Sequence, residues 1–196
     1  MLQEPTGVSA PMPESTTRPR VVDAKRRFEK MVAEQFDFIW RSLRGLGVPS
    51  ASVDDAAQQV FLVAAQKMDA IEDGAERAFL FSTARGVAAN ARRSRARSRE
   101  LADDDALVAQ PDDAPDPEQL TASKRARETL DKILEGLSED VRSVFVLYEL
   151  EGLTMAEIAS VCDLAPGTVA SRLRRAREEF QAAAKRHQAA QKGGGR

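Results

Sequence analysis

Two stretches of this 196-residue chain concentrate the side chains that could do chemistry. Arg85 to Arg99 reads RGVAANARRSRARSR, six arginines with no acid among them. Thr168 to Arg177 reads TVASRLRRAR, four more arginines with Thr168 and Ser171 between them. A guanidinium donates paired hydrogen bonds to phosphate or to a guanine edge, and hydroxyls bond phosphates or base edges. The chemistry on offer is therefore anion recognition. Groups that make and break bonds are scarce: one histidine, His187, in a basic tail, and one cysteine, Cys162, on the inner face of an expected helix. No glycine-rich phosphate loop, metal-ligand spacing or nucleophile–base pair stands out, so no catalytic residue, metal or cofactor is expected. A single cysteine excludes an internal disulfide and a Cys-based zinc cluster, and a reducing, cytoplasmic setting follows.

The formal net charge of −2 hides an uneven distribution. The arginine run is followed at once by ELADDDALVAQPDDAPDPEQ, rich in acids and without a base, and the C-terminal helix is basic again. Abundant Ala, Arg, Glu and Leu with few aromatics favour helix, and no alternating strand pattern emerges. No apolar run approaches the roughly 20 residues that span a bilayer, and the Pro/Ser/Thr-rich start lacks the apolar core of a signal peptide, so membrane insertion is not expected. The expected fold is all-α: two small helical domains joined by a flexible acidic linker, the second a helix-turn-helix. The boundaries are a disordered tail over 1–25, a helical domain over 26–99, the linker over 100–117, the second domain over 118–185 and a flexible tail over 186–196. No dimer seam stands out, and a monomer is expected.

Three helices must position the first arginine run. Phe28, Met31, Val32, Phe36, Ile39, Leu43 and Leu46 follow the three-and-four spacing of a buried stripe, ended by Gly45, Gly47 and Pro49. A second helix, capped by Ser52 or Asp54, carries Val53, Ala56, Ala57, Val60, Phe61 and Ala64 on one face. The third, from about Glu76 to Arg97, buries Leu80, Ala84, Val87 and Ala91, with a loop around Gly74 before it. Opposite the buried stripe of the second helix stand Asp55, Gln58, Gln59, Leu62 and Gln66. A leucine ringed by Asp and Gln is either a docking surface for another protein or a solvated face with one apolar residue.

The second block ends in a helix pair. Thr154 caps the first helix and Glu157 completes a Thr-x-x-Glu capping box. Ile158, Ala159 and Cys162 lie inward, Asp163–Ala165 turn the chain, and Pro166 suits the first turn of the next helix. Val169, Leu173, Ala176 and Phe180 form its buried stripe. Thr168, Ser171, Arg174 and Arg175 lie outside, with Arg172 and Arg177 on the flanks. That division fits a recognition helix, which packs on its partner while its outer N-terminal residues enter the major groove. An amphipathic hairpin with a solvated basic face has the same pattern.

The two blocks together, from Phe28 to Lys185, resemble the sigma factors of bacterial RNA polymerase, in particular the extracytoplasmic-function group. DDAAQQVFLVA resembles the family's D-L-V-Q-E-V-F helix, and GTVASRLRRAR its G-T-V-K-S-R-L-x-R-A-R. The resemblance implies a promoter-specificity subunit that binds core RNA polymerase, directs it to selected promoter DNA and helps open it. Asp55 and Gln58, with Gln59 and Leu62, match the face that docks on the polymerase's clamp helices. AFLFSTARGVAANARRSRARSR resembles the segment that opens the downstream promoter element, which assigns Phe79, Phe81, Arg85, Asn90, Arg92 and Arg93 to DNA, although each phenylalanine equally fits packing between helices. The loop from Lys67 to Glu76 resembles one that captures a flipped base, and Arg95, Arg97 and Arg99 form an electrostatic sleeve. Thr168, Ser171, Arg172, Arg174, Arg175 and Arg177 fall to the upstream element. The family also implies an anti-sigma protein as a partner. Departures are Asp163 for the turn glycine, Ala165 for a capping serine, Ala170 for a lysine and Gln59 for an acid. The rival reading is a stand-alone helix-turn-helix regulator whose first block only dimerises.

Overall fold

A computed structural model describes residues 17–101 and 117–193, with side chains placed over 23–98 and 124–190. The acidic segment 102–116, residues 1–16, residues 194–196 and the side chain of Arg99 lie outside the described residues. Among the described residues there are helices and turns and no strand. No helix is long and apolar enough to cross a membrane.

Helix α1 runs Thr17–Gly45. Nine residues assigned from the sequence to a disordered tail are therefore helical. Pro19 falls in the first turn, where its missing N–H breaks no intrahelical bond, and Ala24 continues the inward stripe one turn before Phe28. The helix ends in a Schellman motif. Val48 N–H donates to Leu43 C=O at 3.0 Å and Gly47 N–H to Arg44 C=O at 3.0 Å, with Gly47 at φ +95°, a left-handed conformation that favours glycine. A 3₁₀ turn, Ser50–Ser52, leads into α2, Val53–Gln66. All six residues expected on its inner face are buried. Ser52 is the N-cap, without a side-chain hydrogen bond. A second 3₁₀ turn, Met68–Ala70, precedes α3, Glu76–Leu101, which buries Leu80, Phe81, Ala84, Val87 and Ala88 against α1 and α2.

In the second half α4 spans Pro117–Glu135, and α5, Glu139–Phe145, widens into a π turn, Val146–Leu150. Then come α6, Met155–Cys162, and α7, Pro166–Gly193. The expected flexible C-terminal tail is thus helical to residue 193, as its run of Ala, Lys and Gln favours. Leu134, Leu137, Val141, Phe145 and Ala176 form a local core, closed by Phe145 stacked on Phe180 at 4.9 Å.

The halves are not separate bodies on a string. One apolar core runs from Leu43, Leu46 and Phe81 of the first half to Val144, Leu147 and Ile158 of the second.

Candidate nucleic-acid interface

The α6–α7 pair is built as its sequence predicts. Thr154 Oγ1 accepts from Glu157 N–H at 3.3 Å, and the Glu157 carboxylate accepts from Thr154 N–H at 2.7 Å, the complete capping box. Those hydrogen bonds, from the Thr154 backbone and then its hydroxyl, hold the Glu157 carboxyl below the usual range. Asp163 takes the left-handed conformation (φ 51°, ψ 55°) that ends α6. Leu164 N–H then reaches Ala159 C=O at 2.9 Å. An aspartate does here what glycine does in most such turns, because its short side chain tolerates positive φ. Ile158, Val169, Leu173 and Ala176 are buried, which fixes the rotation of α7. Ser171, Arg174, Arg175 and Arg177 face solvent, while Thr168 and Arg172 are half-buried.

The outer arginines differ in how free they are. Among the described residues Arg174 and Arg175 pair only one turn along their own helix, with Glu178 at 3.5 Å and Glu179 at 2.6 Å. Arg177 bonds Glu149 at 2.7 Å and lies over the Tyr148 ring at 5.0 Å. Arg172 reaches Asp140 at 3.2 Å.

On α3 the positive stripe turns toward the second half. Arg85 meets Asp140 at 3.3 Å and Glu139 at 3.8 Å. Arg92 donates to Glu139 at 3.0 Å and to Leu46 C=O at 2.6 Å. Arg95 pairs with Glu135 at 2.9 Å. Asn90, Arg93 and Arg97 stay exposed, with Arg93 donating to the Asn90 side chain. Phe81 has no exposed surface and packs on Phe38 at 6.1 Å. Its assignment to DNA is corrected: it is a core residue, turned inward by the same rotation that buries Leu80 and Ala84. Phe79 is half-buried against that core.

The loop before α3 is braced from α1. Arg27 donates to Ile71 C=O and to Glu76, both at 2.7 Å, and lies 3.1 Å from Asp73. Burial alone would raise the Glu76 carboxyl. The Arg27 hydrogen bond, with backbone N–H donors of Glu76 and Gly74, outweighs it and holds the group below the usual range.

A separate surface lies on the far side of α2. Asp54, Gln58 and Leu62, spaced one turn apart, join Phe28, Val32 and Phe36 of α1 around a groove of about 300 Å³. Leu62 is 55% exposed and Phe36 39% exposed. Phe36 was expected in the buried stripe. It lies at the stripe's edge instead, stacked on Phe61 at 6.1 Å and open on its other side. Asp55 and Gln59 are exposed beside the groove without lining it. Asp54, missed from sequence as a groove residue, accepts from Trp40 Nε1 at 2.8 Å, which sets its carboxylate at the rim.

Also missed were Arg142, Glu139 and Asp140, the centre of the contact between halves. In the sequence LSEDVRSVF they read as an ordinary helix start, and nothing local marks a buried arginine. Cys162 is half-buried, and burial pushes its thiol up, away from reactivity. Among the described residues no three His, Cys, Asp or Glu side chains cluster as a metal site would require.

Known proteins resemble this chain in sequence and in fold. Residues 127–180 match the family model described as Sigma-70, region 4. The chain is 34% identical over 139 residues to the ECF RNA polymerase sigma-E factor of Escherichia coli, covering 67% of this chain and 73% of that one. It is 26% identical over 156 residues to the ECF RNA polymerase sigma factor SigE of Mycolicibacterium smegmatis, covering 79% and 60%. Two solved structures share the fold at 23% identity. One is CnrH in complex with the cytosolic domain of CnrY, with a TM-score of 0.62 over 86% of this chain and 96% of that one. The other is the sigma factor RpoE with the anti-sigma factor NepR from Bartonella quintana, with a TM-score of 0.58 over 82% and 98%.

Proposed function

The chain belongs to the ECF RNA polymerase sigma factors, and from that membership we propose that its two kinds of surface divide the work: the α1–α2 groove docks core polymerase, and the arginines of α3 and α7 hold promoter DNA. As a sigma factor it binds core RNA polymerase, directs it to selected promoters and helps open them. Nucleotide addition belongs to the polymerase, and this subunit carries no catalytic step. Its place of work is the cytoplasm, with polymerase and DNA. Family membership also supports an anti-sigma protein as a partner.

The observation that carries the division is the groove. Leu62 stands exposed between Gln58 and the aromatic edge of Phe36. A large exposed leucine over a preformed apolar trough, rimmed by polar groups, is the anatomy of a protein–protein contact. The stand-alone regulator reading leaves this trough without an occupant. On DNA, Ser171, Arg174 and Arg175 present a solvent-facing edge of α7, with half-buried Thr168 beside it, for the upstream element. Arg85, Asn90, Arg92 and Arg93, flanked by Phe79, serve the downstream one. Asp55 and Gln59 extend the polymerase contact beyond the groove's rim.

Co-elution of the purified chain with core bacterial RNA polymerase on a sizing column, followed by run-off transcription, tests the reading. Co-elution that disappears in a Leu62→Asp variant of unchanged helicity is expected. Equal co-elution of that variant would remove the groove from the polymerase interface.

A further inference from the structure

A glycine inside a helix weakens it, because the bare residue loses the most backbone freedom on folding. Most glycines described here have a reason in the fold. Gly47, Gly74 and Gly152 take positive φ. A Cβ on Gly45 would stand 2.9 Å from both methyls of Val146. Gly136 follows the last residue of α4, where a Cβ would lie 3.4 Å from the Ile133 carbonyl oxygen, and Gly193 ends α7. Gly86 and Gly167 have neither positive φ nor any atom within 4 Å of the space a Cβ would fill. Gly167 follows Pro166 in the first turn of α7, where intrahelical bonding has barely begun. Gly86 lies in the middle of α3, and nothing in the fold requires glycine there.

Its place on the helix supplies a reason. Leu80, Phe81, Ala84, Val87 and Ala88 face the core, and Gly86 falls opposite them, exposed. Its neighbours on the helix surface are Ser82, Thr83, Ala89 and Asn90, none long enough to cover it. Thr83 is drawn back onto its own helix, with its hydroxyl donating to Phe79 C=O at 2.9 Å. Two turns to either side on the same edge stand half-buried Phe79 and exposed Arg93. An aromatic face and a guanidinium are the groups that hold an unpaired strand, one for the base and one for the backbone. Between them the α3 backbone is bare.

We propose that the opened downstream strand crosses α3 at Gly86, in direct contact with the bare helix backbone, and that this position is glycine because any side chain would hold the strand off. The proposal rests on the assignment of this edge of α3 to the downstream element made above. The chain gives up helix stability at Gly86 for close approach of a nucleotide, so stability and DNA binding should respond to one methyl in opposite directions.

Gly86→Ala in the full chain tests this. The added methyl meets no atom of the protein and alanine favours the helix, so Tm should rise by about 2–4 °C. Anisotropy with a labelled mixed-sequence single strand should show affinity lowered about tenfold, the scale on which one extra methyl disrupts a close contact. No charge is lost, so the log–log salt dependence should run parallel to that of the parent chain. Arg93→Ala, measured alongside, should flatten it by about 0.7 for each phosphate no longer neutralised. Binding to core polymerase should be unchanged in both variants. A Gly86→Ala chain that binds the strand as tightly as the parent, while Arg93→Ala binds it more weakly, would overturn the close approach and leave α3 on DNA. A lowered Tm would show that the glycine serves the fold, and weakened core binding with unchanged strand binding would put polymerase at this position; either overturns the proposal. Strand binding that neither substitution alters would remove this edge of α3 from DNA, and the proposal with it.

Discussion

Truncating Leu62 separates the proposed docking surface from the fold. The side chain is 55% exposed, so removing three carbons in Leu62→Ala deletes less than half of what a fully buried leucine contributes, and stability should fall by no more than about 1 kcal/mol. Docking would hide the exposed share. At about 0.8 kcal/mol per buried CH₂ group, three carbons with roughly half their surface still to bury give about 1–1.4 kcal/mol, or a five- to tenfold rise in Kd for core polymerase. Phe36→Ala should weaken binding as well, but it also removes the stack on Phe61 and lowers stability, which makes Leu62 the cleaner probe. The two are neighbours across one groove, so their effects should not add. The assay is a titration of labelled chain with core polymerase, with circular dichroism and thermal unfolding alongside. A Leu62→Ala chain of parental helicity and Tm that binds core with unchanged Kd would refute the groove as the docking site.

Three further outcomes follow from the site geometry. Arg174→Ala and Arg175→Ala should each weaken upstream-element binding and flatten the log–log salt dependence by about 0.9 for each phosphate no longer neutralised, with core binding unchanged; DNA titrations at several salt concentrations read both. Thr154→Ala removes half of the capping box, at about 1 kcal/mol, and should lower Tm by about 2–4 °C in a scanning calorimeter. The depressed Glu76 carboxyl favours the folded state above its unfolded value near 4.5, and that stability is lost as the pH falls through the lower folded value. Glu76→Gln should therefore flatten the acid limb of Tm against pH, and an unchanged limb would show that the Arg27–Glu76 pair does not brace the loop.

Features set by local spacing were legible before the structure. The buried stripe of α2, the capping box at Thr154 and the left-handed turn at Asp163 each depend on residues within one or two helical turns. Errors fall where distant parts decide. Phe36 has the spacing of a core residue, but α2 covers only one side of its ring. Phe81 belongs to a stripe whose inward face is set by Phe38, far away in sequence. Gly45 and Gly47 read as helix stoppers. Gly47 does end α1, whereas Gly45 admits Val146 from the other half. The helical ends at Thr17 and Gly193 lie beyond any strong apolar pattern, where composition alone gave the wrong boundary.

The contact between the halves combines two kinds of charge, and their energetics separate a latch from a hinge. The pairs of Arg85, Arg92, Arg95 and Arg172 with acids are partly open to solvent. Such pairs contribute about 0–1 kcal/mol each and weaken further with salt. Arg142 is different. Its pKa is pushed down to about 10, first by burial and then by the nearby Arg92 charge. Separating the halves would return it to water and relieve that burial, at the loss of its bond to Leu46. The exposed pairs therefore add little to the contact, whereas Arg41 on Glu151, whose side chain is 1% exposed, and the apolar contact of Val144, Leu147 and Ile158 with the first half carry most of it.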